Sequence, residues 1–273
     1  MQHDSGFVLV DHPQPHVALV TLNRPERMNS MAFDVMVPLK EALAGLNHDN
    51  DVRVVVLTGA GRGFSSGADH KSAGSVPHVG GLTRPSYALR SMELLDEVIL
   101  AMRRLHQPII AAVNGAAIGG GLCLALAADI RVAAAGAYFR AAGINNGLTA
   151  SELGLSYLLP RAIGSSRAFE IMLTGRDVNA REAERIGLVS RQVPAEELLP
   201  ACFEMAAGIA AFSRPGTELT KRTLWTGMDA GTLEGHMQAE GLGQLYVRLL
   251  TANFEEAVTA RAQKRAPVFT DDK

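Results

Sequence analysis

The chain has 273 residues, nearly half of them apolar, and carries a net charge of −2. That length supports a full hydrophobic core, and the near-neutral balance argues against a disordered chain or a general nucleic-acid binder. Only two cysteines occur, Cys123 and Cys202, far apart in apolar patterns, which disfavours a disulfide framework or structural zinc and favours a reducing compartment.

The opening residues, MQHDSGFVLVDHP, lack a basic segment followed by a long apolar run, so no signal peptide is expected. Phe7–Val10 and Val17–Leu22 flank a proline-rich turn and predict a hairpin. A charged, irregular loop covers 23–30. Met36, Leu39, Leu43 and Leu46 then share one face of a helix. Val52–Thr58 is the strongest buried-strand pattern, and it runs into a glycine-rich loop, GAGRGFSSGAD, at 59–69. Residues 71–86 have the Gly, Ser and Pro content of a mobile loop, open to reading as a flap over a site or a surface connection. Leu89, Met92, Leu95, Ile99, Met102 and Leu105 predict an amphipathic helix that Pro108 ends.

Residues 107–131, QPIIAAVNGAAIGGGLCLALAADIR, form the centre of the pattern. Ile109–Val113 reads as a strand, Asn114-Gly115 as a turn, and Leu122–Ala128 as a short buried helix opening on three glycines. Asn114, Asp129 and the glycines break any membrane span here, so a soluble, cytoplasmic protein without membrane partners is expected. Ile130–Ala133 and Tyr138–Ala141 read as further strands. Strands alternating with helices imply an α/β fold with right-handed crossovers, and both glycine-rich loops follow strand C-termini, where such sheets place ligands. Beyond Ser151 the chain reads as mainly helical. One helix runs from Gly164 to Gly175, a second is capped by Asn179 and stops at Gly187, and a strand covers Leu188–Val193. Helices follow over 195–212, 216–228 and 233–250, with Asn253 the N-cap of the last. The expected division is a core over 1–195 and a helical region over 196–273.

Residues 58–63, TGAGRG, suggest a dinucleotide fingerprint, but Ser65 stands where a further glycine belongs and Arg161 follows Tyr157 in place of lysine. No G-x-S-x-G elbow and no H-E-x-x-H spacing occurs, so neither a nucleophile elbow nor a metal site is supported. A helix that opens on glycines presents bare N–H groups and the positive end of its dipole. Two such strand-end loops, each with a free amide, can converge on one oxygen and stabilise charge developing on a carbonyl.

The segments LNRPERMNS, VRVVVLTGAGRGFSSGAD, QPIIAAVNGAAIGGGLCLALAADIRVAA, RAIGSSRAFEIMLTGRDVNAREAERIGLVSR and AVTARAQKRAPVF together resemble the crotonase superfamily, the enoyl-CoA hydratase/isomerase family. The resemblance implies a ββα spiral core with a helical C-terminal region, assembled as trimers or hexamers. It implies an acyl-CoA thioester whose carbonyl is held by the amides of Ala68 and Gly120, with no metal and no cofactor beyond the substrate's own coenzyme A. Contacts to that coenzyme are implied for Arg24, Arg27, Met28 and Ser66, with Lys264 reaching the nucleotide phosphates. His70 adjoins this set, and Asp69 reads as the acid that orders the loop.

Family hydratases carry a glutamate two residues after the triple glycine and another about twenty residues on. Here Cys123 and Gly143 occupy those places. Hydration divides its work between two carboxylates, whereas isomerisation needs only one to move a proton between carbons. Glu152 is the lead candidate for that carboxylate; Thr149-x-x-Glu152 also fits a helix capping box. Decarboxylation, thioester hydrolysis and silent acyl-CoA binding are the alternatives on the same scaffold.

Overall fold

A computed structural model describes residues 6–271. The predicted hairpin forms as β1 (Val8–Gln14) and β2 (Val17–Leu22), antiparallel, with Pro13 tolerated because β1 is an edge strand. Helix α1 (Phe33–His48) buries Val35, Met36, Leu39, Leu43 and Leu46 on the predicted face. The chain then winds as a spiral. β3 (Val54–Gly59) and β4 (Gly63–Ser65) precede α2 (Arg84–Arg104). β5 (Ile109–Val113) and β6 (Ala116–Ile118) precede α3 (Gly120–Ala127), and β7 (Ile130–Ala134) and β8 (Tyr138–Arg140) complete the third turn.

Next come α4 (Leu155–Ile163), α5 (Ser165–Thr174), β9 (Val178–Asn179), α6 (Ala180–Arg185) and β10 (Arg191–Val193). Each turn of the spiral gives its first strand to a six-stranded sheet, β1-β2-β3-β5-β7-β10. Its second strand goes to a four-stranded sheet, β4-β6-β8-β9. The crossovers between turns are parallel, as the alternation of elements predicts.

Several boundaries differ from the sequence reading. β4 and β6 are three-residue strands inside what reads as loop and turn. Helix α2 begins at Arg84, within the stretch expected as mobile loop, with Pro85 in its first turn. Helix α3 begins at Gly120 rather than Leu122, and the expected strand at Leu188–Val193 contracts to β10 because the amides of Leu188 and Val189 donate to the Ala183 carbonyl at the end of α6. Asn253 is the first residue of the last helix, not its cap; its side chain instead bonds Ser213 Oγ and Asp271 Oδ1.

One face of the large sheet packs against α1, α2 and α3. The other is sealed by α7 (Leu198–Ala210), whose Leu198, Cys202, Ala206 and Ala210 meet Val17, Val54, Val56, Ile110 and Val132. Burial pushes the Cys202 thiol up to about 12, consistent with an inert core cysteine. The chain ends in α8 (Arg214–Asp229), α9 (Leu233–Leu250) and α10 (Asn253–Ala262). Among the described residues, no helix is long and apolar enough to cross a membrane.

A buried polar node fastens α8 to the spiral. Lys221 Nζ donates to the carbonyls of Met102 and Gln107 and lies 3.0 Å from Asp129 Oδ2. That oxygen also accepts from the Ile109 amide, and Asp129 Oδ1 accepts from Trp225 Nε1 at 2.6 Å. Burial pulls the Lys221 ammonium below its usual value, and the charge of Asp129 offsets part of that shift. Asp129→Ala strands this ammonium in the core, so it should destabilise the protein by about 3 kcal/mol in urea denaturation followed by circular dichroism.

Candidate active site

The two glycine-rich loops meet backbone to backbone. A Cβ on Gly67 would lie 2.5 Å from the Ile118 carbonyl oxygen and 3.3 Å from the Gly120 nitrogen. Gly67 also has φ +80°, and a side chain on Gly121 would overlap the Ser65 carbonyl. Glycine is required at both places, so the triple glycine serves close packing as well as exposure of the helix terminus.

Residues 67–69 are clamped to Met31, whose amide donates to Gly67 O at 2.7 Å and whose carbonyl accepts from Asp69 N at 3.2 Å. The Ala68 amide between them, and that of Gly120 at the first position of α3, donate to no protein acceptor among the described residues. Two unpaired amides on adjoining loops can hold one oxygen between them. Met31 and Leu153 form the walls beside Gly120, a role the sequence reading missed because neither residue type signals it.

Asp69 orders this loop. Its buried carboxylate accepts from Arg27 Nη2 at 2.6 Å, Arg24 Nη1 at 3.1 Å, Ser30 Oγ at 3.0 Å, and the amides of Lys71 and Ser72 at 2.9 Å each. Burial by itself would raise its pKa; these donors outweigh it and hold the carboxyl far below the usual range. Arg24 and Arg27 are therefore tied to the loop that carries Ala68. Buried Asn29 adds a staple from its side-chain amide to the carbonyls of Ala60 and Gly63. Ser66 N donates to Met28 O at 2.9 Å, so Met28, Ser66 and Ala68 share one framework. Lys264 stands exposed just past α10, and no hydrogen bond or ion pair joins it to these loops among the described residues.

Glu152 does reach the site. Its Oε1 is 3.2 Å from where a Cβ on Gly119 would project, which puts the carboxyl against the start of α3. Burial raises its pKa, and the charge of His70 opposes that shift in part. The capping box does not form. Helix α4 opens at Leu155 behind Gly154, and Thr149 Oγ1 donates to Ser151 O. The Glu152 carboxyl therefore does not cap α4, although its main-chain carbonyl accepts from the Leu155 amide at 2.7 Å. Arg140 is engaged with Asp177 at 2.6 Å. Among the described residues, no cluster of His, Cys, Asp or Glu is placed to hold a metal ion. A separate apolar cavity of about 690 Å³ lies at the opposite ends of β5 and β7, lined by Leu126, Leu158, Trp225 and Met228, and contains none of these groups.

Two free amides on adjoining loops and a half-buried carboxyl against Gly119 are groups that can polarise a carbonyl and move a proton. Comparison with known proteins gives that chemistry a family. The model for enoyl-CoA hydratase/isomerase matches residues 13–272. A probable enoyl-CoA hydratase of Mycobacterium tuberculosis, EchA12, is 83% identical over 267 residues, covering 98% of this chain and 94% of its own length. The crystal structure of a probable enoyl-CoA hydratase/isomerase from Mycobacterium abscessus is 71% identical, with TM-score 0.95 over 98% of this chain and 99% of that one. A monofunctional enoyl CoA isomerase from M. smegmatis is also 71% identical, with TM-score 0.73 over 85% of this chain and 98% of that one. The chain belongs to the enoyl-CoA hydratase/isomerase family and is an enzyme of that type.

Asp69→Asn should lower stability at neutral pH. Because the folded state depresses the Asp69 pKa, its stabilisation is present above about pH 4 and is lost as pH falls toward the folded value. Urea midpoints of the parent and variant should therefore differ at pH 7 and converge at strongly acidic pH.

Proposed function

We propose that this enzyme isomerises a 3-enoyl-CoA to its conjugated 2-enoyl-CoA, with Glu152 as the single proton carrier. The amides of Ala68 and Gly120 hold the thioester oxygen. Glu152 as carboxylate removes a proton from Cα, and the electron pair moves onto that oxygen as an enolate. The same carboxyl returns the proton to Cγ, and the double bond moves into conjugation. Every atom is conserved, and no cofactor beyond the substrate's coenzyme A is consumed.

The observation that carries this reading is the lone Glu152 carboxyl against Gly119, while the positions implied for a hydratase pair hold Cys123 and Gly143. The M. smegmatis relative's description as a monofunctional isomerase supports it. In this proposal the coenzyme lies along Arg24, Arg27, Met28 and Ser66, beside Asp69 and His70, and Lys264 meets its phosphates. The spiral over 1–195 holds the acyl site, and the helices beyond carry oligomerisation and cover for the coenzyme. The exposure of Leu224, Leu242, Leu245, Leu249 and Phe254 on α8–α10 suits burial in a trimer or hexamer. A cytoplasmic location accords with two buried free thiols.

The test is absorbance of the conjugated thioester. The enzyme should raise it from a 3-enoyl-CoA and leave a 2-enoyl-CoA in water unchanged; loss from the latter means hydration and overturns the proposal. Glu152→Gln should abolish isomerisation while retaining substrate binding by calorimetry. Since burial raises the Glu152 pKa, kcat/KM should fall on the acid side at a pH above the ordinary glutamate value of about 4.3.

A further inference from the structure

Glu152 sits on a segment whose backbone is held in an unusual path. Leu153 has φ +46° although it is a branched, buried side chain, and Gly154 follows at φ +79°. Two consecutive residues in the left-handed region turn the chain sharply just before α4 and would relax without external supports. The structure contains two such supports.

The first is Cys123. It is fully buried in α3, and its thiol donates to the main-chain carbonyl of Glu152 at 3.5 Å. The second is Gly143. A side chain there would overlap the Thr149 carbonyl oxygen, and its Cβ would lie 2.9 Å from the Thr149 carbonyl carbon and 3.2 Å from the Ala150 Cα. The Gly143 carbonyl also accepts from the amides of Asn146 and Leu148, at 3.0 Å each, closing the 143–149 turn that feeds into Glu152. One support thus fixes the peptide at Glu152, and the other fixes the base of the loop.

We propose that Cys123 and Gly143 are positioning residues that set the Glu152 carboxyl against the start of α3. This deepens the isomerase reading and rests on it for its catalytic meaning. The same packing leaves no room for a carboxylate at either position while the loop keeps this path. A glutamate at 143 would displace Thr149, and one at 123 would be buried beneath the Glu152 main chain. On this account, an acid at 152 and acids at 123 and 143 are mutually exclusive arrangements of one loop. The titratable groups that act on the Glu152 carboxyl are His70, whose charge lowers its pKa, and the Cys123 thiol, which burial and the Glu152 charge keep well above its ordinary pKa and therefore neutral.

The test uses Gly143→Ala and Cys123→Ala in the full-length enzyme, with two readouts. Steady-state isomerisation should show kcat lowered about tenfold or more in Gly143→Ala, with KM changed far less, because displacement by an ångström or so misaligns proton transfer. Cys123→Ala should move kcat the same way by less. The second readout is the titration of the Glu152 carboxyl, followed by NMR on glutamate-labelled protein and assigned by the signal missing in Glu152→Gln. A loosened loop hydrates the carboxyl, so its pKa should fall toward the ordinary value in both variants.

Unchanged kcat and unchanged titration in the variants would overturn the inference. If Gly143→Ala does not fold, Cys123→Ala decides by the same two measurements. Full activity of Glu152→Gln would instead overturn the isomerase reading, while the titration would still report whether residues 123 and 143 place the carboxyl.

Discussion

The structure depends on backbone meeting backbone where Gly67 and Gly121 let two loops close on each other. Neither contact survives a methyl group, so this junction tolerates little displacement of the strands that feed it. Around it the molecule places polar clamps rather than more apolar bulk. Asn114 donates from its side-chain amide to the carbonyls of Gly59 and Gly61, tying the corner between β5 and β6 to the corner between β3 and β4. Asn29 binds the same corner from the other side. These amides satisfy carbonyls that the abrupt change of sheet would leave unpaired.

Most of the large sheet was legible because its strands announce themselves. Val54–Gly59 and Ile109–Val113 are apolar runs buried on both faces, and the helices between them keep their apolar spacing. The small sheet was hidden for a physical reason. β4 and β6 are three residues long and contain Gly63, Ala116 and Ala117, so they carry no periodicity to read. They exist because neighbouring turns of the spiral supply their partners, information that lies some fifty residues away in the chain. The start of α2 at Arg84 was obscured likewise, since its first turns are exposed and polar and resemble the loop before them.

At the site, the glycine patterns suggest a free amide on each of two loops, and it is the family resemblance that names Ala68 and Gly120. The setting of Glu152 did not follow. Threonine three residues ahead of a glutamate before an apolar run suggests a capping box, yet Leu153 adopts a left-handed backbone and delays the helix to Leu155. A branched residue rarely takes that conformation, so no sequence rule anticipates it. The arginines at 24 and 27 show a related limit. The resemblance implies that both contact the coenzyme, and only the fold reveals that Asp69 holds both.

The parallel pairing of β4 with β6 sets Ser65 opposite Ala117. Ala68 and Gly120 each lie three residues beyond that pair, past Gly67 and Gly119, whose positive φ turns both chains out of the strand conformation. The ladder brings both loops to one place before they turn, so carrying Ala68 away from Gly120 as a body would require β4 and β6 to part. The two free amides are thereby anchored at their base by the core itself, and their loops should keep their places until that core opens.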